Sequence, residues 1–228
     1  MTVAIKKESI EVLDTRPVST EKHMRIVLDQ ILNLNGNTAS NWSGVTGSTA
    51  SVTTSYGRLS LASGGFNQYG LPATQPGRYY AVSVELSSVP TSSGLEFGIL
   101  GASATSNTFD DNVVLAKKTS TVSSADGWFT FKAEKFSSEY LAWRYSGSGS
   151  VTLDNIVIVD VTLPLNFQVE NIFAQPITTS GDTYSKLNYE IRSDGVVQYI
   201  DFTTGYSNLL NVFANSGQNL IHVEGFLK

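Results

Sequence analysis

Pro76-Gly77-Arg78-Tyr79-Tyr80-Ala81-Val82-Ser83-Val84-Glu85-Leu86 decides how the rest of this chain is read. Pro-Gly marks a turn. After it, Tyr80, Val82, Val84 and Leu86 fall on one face, and Tyr79, Ala81, Ser83 and Glu85 on the other. The period is two, the repeat of a strand and not of a helix. The same pattern recurs downstream. Asp126-Gly127 opens Trp128-Phe129-Thr130-Phe131, and Ser146-Gly147-Ser148-Gly149-Ser150 opens Val151-Thr152-Leu153-Asp154-Asn155-Ile156-Val157-Ile158-Val159. Leu95, Phe97 and Ile99 alternate, as do Leu141, Trp143 and Tyr145. Short strands at this spacing, separated by turn residues, predict a β-sandwich and argue against alternating strands and helices.

The reading extends outward from there. Residues 38–65 are rich in Ser, Thr and Gly, yet Ala50, Val52, Leu59 and Leu61 keep the period of two, so this segment is read as β-structure with turns. Residues 20–34 are the one stretch with helical spacing. Thr20 stands as an N-cap, and Met24, Val27, Leu28, Ile31 and Leu32 fall on one stripe before Asn35-Gly36-Asn37. That stripe is either packed on the sheet or offered to a partner as an assembly face. Residues 1–18 read as an extended arm. Beyond Leu163-Pro164-Leu165 the texture changes. Asp194-Gly195 between alternating runs predicts a hairpin, and a second is expected between Leu209–Phe213 and Leu220–Phe226. The expected organisation is all-β with one short helix. Residues 1–37 form an arm and amphipathic helix, 38–162 a sandwich, and 163–228 a small C-terminal β-domain that packs on the sandwich or on a neighbouring subunit.

Composition narrows the functional classes. Of the 228 residues, 41% are apolar and only 15% charged, against about 25% charged in ordinary soluble domains. The surface is therefore covered by Ser, Thr, Asn and Gly. A net charge of -5 and a pI near 5.0 offer nothing to nucleic-acid phosphates. No basic cluster suits an anionic membrane, and no segment approaches the roughly 20 apolar residues of a membrane helix. There is no cysteine, which excludes disulfides, thiolate chemistry and Cys-based zinc sites. The first residues lead into no apolar run of signal-peptide length. The expectation is synthesis in a host cytoplasm, with any role outside a cell reached by another route.

Candidate catalytic groups are sparse. His23 and His222 lie in no nucleophile or metal motif. Asp110-Asp111 is a carboxylate pair in a polar loop, read as a solvated tip. No glycine-rich phosphate loop follows a strand. The chain is read as non-enzymatic.

From Asn41 to Val161 the order of these elements resembles the β-jelly roll of galactose-binding-like domains, used by many carbohydrate-binding modules. The residues that carry the resemblance are Trp42 near a turn, Pro76-Gly77-Arg78-Tyr79 entering a long strand, Gly127-Trp128 leading an aromatic strand, and Leu153-Asp154-Asn155-Ile156 near the end. The resemblance implies a structural calcium with Asp154 as a ligand. The family's Gly-x-Phe-Glu element is absent, however, and Leu34-Asn35-Gly36-Asn37 stands in its place. No other cofactor is implied. The resemblance also implies sugar binding by exposed aromatic rings with polar neighbours. Trp42, Tyr56, Phe66, Tyr69 and Trp143 are the ring candidates, with Asn67, Gln68 and Arg144 as polar partners. Phe66, Asn67, Gln68 and Tyr69, lying between glycines, form the favoured candidate glycan site, while Trp128, Trp143 and Tyr145 are expected in the core.

The β-rich, Ser/Thr/Gly-rich, cysteine-free composition also resembles that of tailed-bacteriophage virion structural proteins. The favoured expectation is a capsid decoration (cement) protein on the virion surface. It would dock on the major capsid protein or other virion subunits through residues 1–37 and associate as a trimer or dimer. The alternative is a tail or fibre adhesin, or a free carbohydrate-binding module, that recognises cell-surface glycans.

Overall fold

The computed structural model describes residues 22–35, 42–44, 50–52, 59–72, 74–88, 94–105, 109, 114–120, 128–134, 139–176, 185–187, 189–202 and 219–228. Among these residues the chain is all-β, with no helix. The strands β1 (Lys22–Val27), β2 (Gln30–Asn35), β3 (Trp42–Gly44), β4 (Ala50–Val52), β5 (Leu59–Ala62) and β6 (Gly65–Gly70) come first. Next are β7 (Tyr79–Ser88), β8 (Leu95–Leu100), β9 (Val114–Ser120), β10 (Trp128–Lys132), β11 (Tyr140–Tyr145) and β12 (Ser150–Asp160). Finally come β13 (Thr162–Leu163), β14 (Phe167–Pro176), β15 (Ser185–Lys186), β16 (Glu190–Ser193), β17 (Gln198–Asp201) and β18 (Asn219–Leu227).

Two antiparallel sheets face each other across the first core. One runs β3-β6-β11-β8-β9; the other runs β10-β7-β12-β5-β4, with β2 also paired to β12. The chain crosses between the sheets repeatedly, from β5 to β6 to β7 to β8, and again from β9 to β10 to β11 to β12. Alternation delivers Tyr80 and Val82 from β7, Phe97 and Ile99 from β8, Phe131 from β10, and Trp143 and Tyr145 from β11 into the space between. Trp143 and Phe97 lie nearly parallel, 6.1 Å apart at 9°. Each such large side chain contributes about 1.5–3 kcal/mol by leaving water.

The sheet containing β7 and β12 is buried on its other face too. There Ala81 from β7 and Val157 and Val159 from β12 meet Val161, Leu163, Phe167, Ile172, Ile200, Phe202, Ile221 and Val223 in a second core. Burial on both faces explains the unbroken apolar run Val157-Ile158-Val159, whose side chains alternate between the two cores. The second core is closed by a four-stranded sheet, β1-β18-β14-β15, and a three-stranded sheet, β13-β17-β16. The molecule is thus layered: five-stranded sheet, first core, shared sheet, second core, C-terminal sheets. The described apolar residues of 163–228 share this second core with β7 and β12.

The helix expected over residues 20–34 is not formed; β1 and β2 occupy this stretch. The five residues of its stripe do not share a face. Met24 and Ile26 pack against the second core, and Leu28 is buried in it at 4% exposure. Ile31 and Leu32 pack against the first core, and Val27 is 43% exposed. The physical reason is long-range pairing. Met24, Ile26 and Leu28 also satisfy a period of two, and β18 offers β1 a full ladder from Lys22↔Leu227 to Val27↔His222. The chain then switches sheets at Leu28-Asp29. The Leu28 amide donates to the Ile221 carbonyl (2.9 Å), and the Asp160 amide donates to the Asp29 carbonyl (2.8 Å). A ladder closed across two hundred residues of sequence outweighs the few tenths of a kcal/mol per residue that helix propensity offers. Within this stretch β1 belongs to the C-terminal sheet and β2 to the sandwich.

The Asp194-Gly195 hairpin forms as expected, joining β16 to β17 with Ser193 opposite Gln198. Gly195 adopts φ 87°, which favours glycine at this turn. Of the second expected hairpin, Leu220–Phe226 lies within β18, and Leu209–Phe213 lies outside the described residues, as do residues 1–21.

Candidate functional site

The four residues expected to form a glycan site all lie on β6, in the interior of the five-stranded sheet between β3 and β11. Alternation divides them. Tyr69 points into the first core and is 7% exposed. Phe66 points the other way, into a small cluster with Leu100, Ala142 and Phe109, and is fully buried. Asn67 is buried and its Oδ1 accepts from the Gln68 amide at 2.8 Å. Neither ring presents a face to solvent, so this segment provides no exposed stacking platform. The flanking glycines Gly65 and Gly70 are the ends of a strand.

What β6 helps to build is a closed polar seam on the outer face of that sheet. The Gln68 side chain holds the backbone of Ala104 from both sides: Oε1 accepts from its amide (2.8 Å) and Nε2 donates to its carbonyl (3.4 Å). Nε2 also donates to Ser103 Oγ at 2.8 Å. Arg144, in register with both Phe66 and Glu96, donates from Nε to Glu96 Oε2 at 2.7 Å. Its guanidinium lies 5.8 Å from the Phe109 ring, which packs edge-on against Phe66 at 5.1 Å. The chain after β8 is thereby stapled over the sheet. Of the residues proposed from sequence, Phe66, Gln68 and Arg144 do come together, as a structural clasp.

A second cluster joins the sandwich to the C-terminal sheets. Tyr79 from β7 and Tyr199 from β17 stack face to face, 3.8 Å apart at 7°. Lys132 from β10 lies 5.4 Å from the Tyr79 ring and pairs with Asp194 in the β16–β17 turn. The Tyr79 hydroxyl donates to Asp194 Oδ2 at 3.1 Å. The other oxygen of Asp194 accepts from the amides of Val196 (2.9 Å) and Val197 (3.0 Å), which shapes the turn. The Lys132 ammonium, with these two amides, holds the Asp194 carboxyl well below the usual carboxylate range. Burial, and then the bond to Asp194, push the Tyr79 phenol up. Nearby, Arg78 is paired with Asp160, whose Oδ1 accepts from the Thr162 amide at 3.0 Å. Thr162 Oγ1 accepts from the Tyr79 amide at 2.7 Å. Two aromatic faces and a charge pair across one seam can fasten layers, and both faces of the Tyr79 ring are occupied.

Sequence reasoning named none of Arg78, Lys132, Asp160 and Asp194 as functional; only the turn containing Asp194 was visible. Fully buried Glu139 was missed as well. It accepts from Thr74 Oγ1 and from the Glu134 amide, each at 2.8 Å, and so ties the chain before β7 to the chain before β11. No local pattern marks such residues, because their partners lie five to more than eighty positions away.

Asp154, the calcium candidate, lies in β12 beside Asn155, which is in register with Asn35 at the end of β2. Among the described residues no group of three or more His, Asp or Glu side chains is arranged to hold a metal ion. Trp143 is fully buried in the first core. Trp42 is in register with Tyr69. Tyr56 and the Asp110-Asp111 pair lie outside the described residues. His23 is exposed, 3.5 Å from Glu170 and edge-on to Phe226 at 5.1 Å.

No protein-family model matches the chain, and no curated protein matches it. Among solved structures it is similar to the K3 cleaved adhesin domain of Lys-gingipain from Porphyromonas gingivalis. The identity is 16% and the TM-score 0.36, over 58% of this chain and 98% of that one.

Proposed function

We propose that this chain is a non-enzymatic structural protein of a tailed-bacteriophage virion, in the role of a capsid decoration protein that displays a jelly-roll sandwich. The jelly-roll reading is supported by the repeated crossing of the chain between two facing antiparallel sheets. The display role is supported by one observation above the rest. The described fold begins at Lys22, in register with Leu227, and the Lys228 amide donates to the Asn166 carbonyl at 2.9 Å. Lys22 and Lys228 therefore both lie on the C-terminal layer, and the five-stranded sheet lies at the far side of the stack. An anchor on one layer and a sandwich sheet on the opposite layer is the layout of a display unit.

No helix is formed among the described residues, and in this reading attachment falls to residues 1–21, which precede β1 in the sequence. They would add to the major capsid protein lattice as an extended segment, and copies would associate with closed symmetry as a trimer or dimer. Deleting residues 1–21 should abolish binding to purified particles while leaving the melting temperature nearly unchanged. Unchanged particle binding would sink the proposal. So would glycan-array binding by the full chain with no affinity for particles, which would favour the adhesin alternative.

A further inference from the structure

His222 lies on β18 between Ile221 and Val223, both of which point into the second core. Its imidazole therefore occupies the opposite face of the four-stranded sheet. There it is only 6% exposed, and among the described residues neither ring nitrogen has a hydrogen-bond partner. The ring stacks on Phe173 of β14, 5.0 Å away at 11°. Across the ladder on the other side, its register partner is Val27 of β1. The charged and titratable groups on this face are few. β1 contributes Arg25 and His23, β18 itself Glu224, and β14 Glu170, which sits by His23. On β15, Lys186 is in register with Phe173. The Arg25 guanidinium lies 5.3 Å from the Phe173 ring, and its Nε donates to Glu224 at 2.9 Å. The nearby carboxylate is thus already engaged by a cation.

We propose that His222 is a proton-sensitive latch, which keeps β1 on β18 at neutral pH and loosens it in acid. As a neutral ring, His222 behaves as an aromatic spacer between Phe173 and β1. As an imidazolium it would be a second cation near Arg25, in a buried setting where no described residue offers it an acceptor. β1 is the element exposed to this cost. Among the described strands it is an edge strand paired with β18 alone, and the latch residue sits opposite its last member. Burial and the Arg25 charge both push the folded-state pKa below the ordinary value of 6.5. The sign follows. With β1 opened, His222 takes up the proton first as pH falls through about 6.5. Closure is therefore fully favoured above that pH and is progressively lost below it, down to the folded-state pKa. Glu224, held below its ordinary 4.5 by Arg25, acts in a separate and more acidic window. The latch is independent of the virion reading, since it concerns only the fastening of the first strand.

Hydrogen exchange of the full chain between pH 7.5 and pH 5 tests it, with each rate divided by its intrinsic value. The opening constant of the β1 amides should rise by up to about tenfold per pH unit below pH 6.5. The amides of β6 and β11 should not follow. The rise should vanish in His222→Gln and persist in His23→Gln. A rise that survives His222→Gln, or one shared equally by β6 and β11, would overturn the latch. Should His222→Gln fail to fold, the wild-type imidazole resonance decides: a His222 that titrates at or above 6.5 in the folded chain overturns it as well.

Discussion

Gly225 leaves no room for a side chain. It lies in the middle strand of the four-stranded sheet, opposite Met24 on one side and Val169 on the other, beside the bulge between Val169 and Asn171. A Cβ there would sit 2.0 Å from the Gln168 carbonyl oxygen, a backbone atom that cannot swing aside. Gly225→Ala must therefore push β14 and β18 apart. We expect a loss of about 1–3 kcal/mol or more, read as a melting temperature lower by roughly 2–4 °C per kcal/mol for a chain of this size. An unchanged melting curve would show that the bulge can absorb the methyl group. Nothing in the sequence around Gly225 announces this, because the obstacle belongs to a strand more than fifty residues away. By contrast, Gly195 was legible, since Asp-Gly between alternating runs specifies its turn locally.

At the scale of elements, the seam between the β16–β17 hairpin and the sandwich rests on Asp194. Its folded pKa lies below the ordinary 3.8. The stabilisation is thus present above 3.8 and is lost as pH falls toward the folded value. Asp194→Asn keeps an oxygen for the Val196 and Val197 amides but removes the charge that pairs with Lys132. The variant should melt below the wild type at pH 7, and the gap should narrow steadily from pH 4 downward. A gap that stays constant with pH would assign the loss to the turn and not to the charge pair. The same scale holds the largest misreading of the sequence. Residues 20–34 satisfy a helical stripe and, over Met24, Ile26 and Leu28, a strand period as well. Local pattern could not choose between them, and the partners that did choose, β18 and β12, lie far along the chain. The strand signals at β7, β8, β11 and β12 were legible because their alternation is local. The glycan candidates on β6 misled because glycines bracket a strand there, and only pairing on both sides reveals that it is interior.

At the scale of the whole molecule, the shared sheet makes the two cores interdependent. The mixed character of β7 and β12 carried this information: Tyr79 and Ala81 are too apolar for a solvent face, and Ile156-Val157-Ile158-Val159 has no polar face at all. Which segment covers the second face was not legible, because the covering strands come from both ends of the chain. A chain ending at Leu163 would lack β14, β17 and β18 and uncover Ala81, Val157, Val159 and Val161, each now at most 3% exposed. It would also strand β1, which has no partner but β18 among the described strands. An apolar strip of this length along a sheet face is an aggregation site. We therefore expect the truncated chain to be insoluble or to bind a hydrophobic dye strongly, and the full chain to unfold in a single transition seen alike by fluorescence and circular dichroism. A truncated chain that is monomeric and melts cooperatively would show that the first core stands alone. In that event the C-terminal sheets would be an attached layer, and not part of the folding unit.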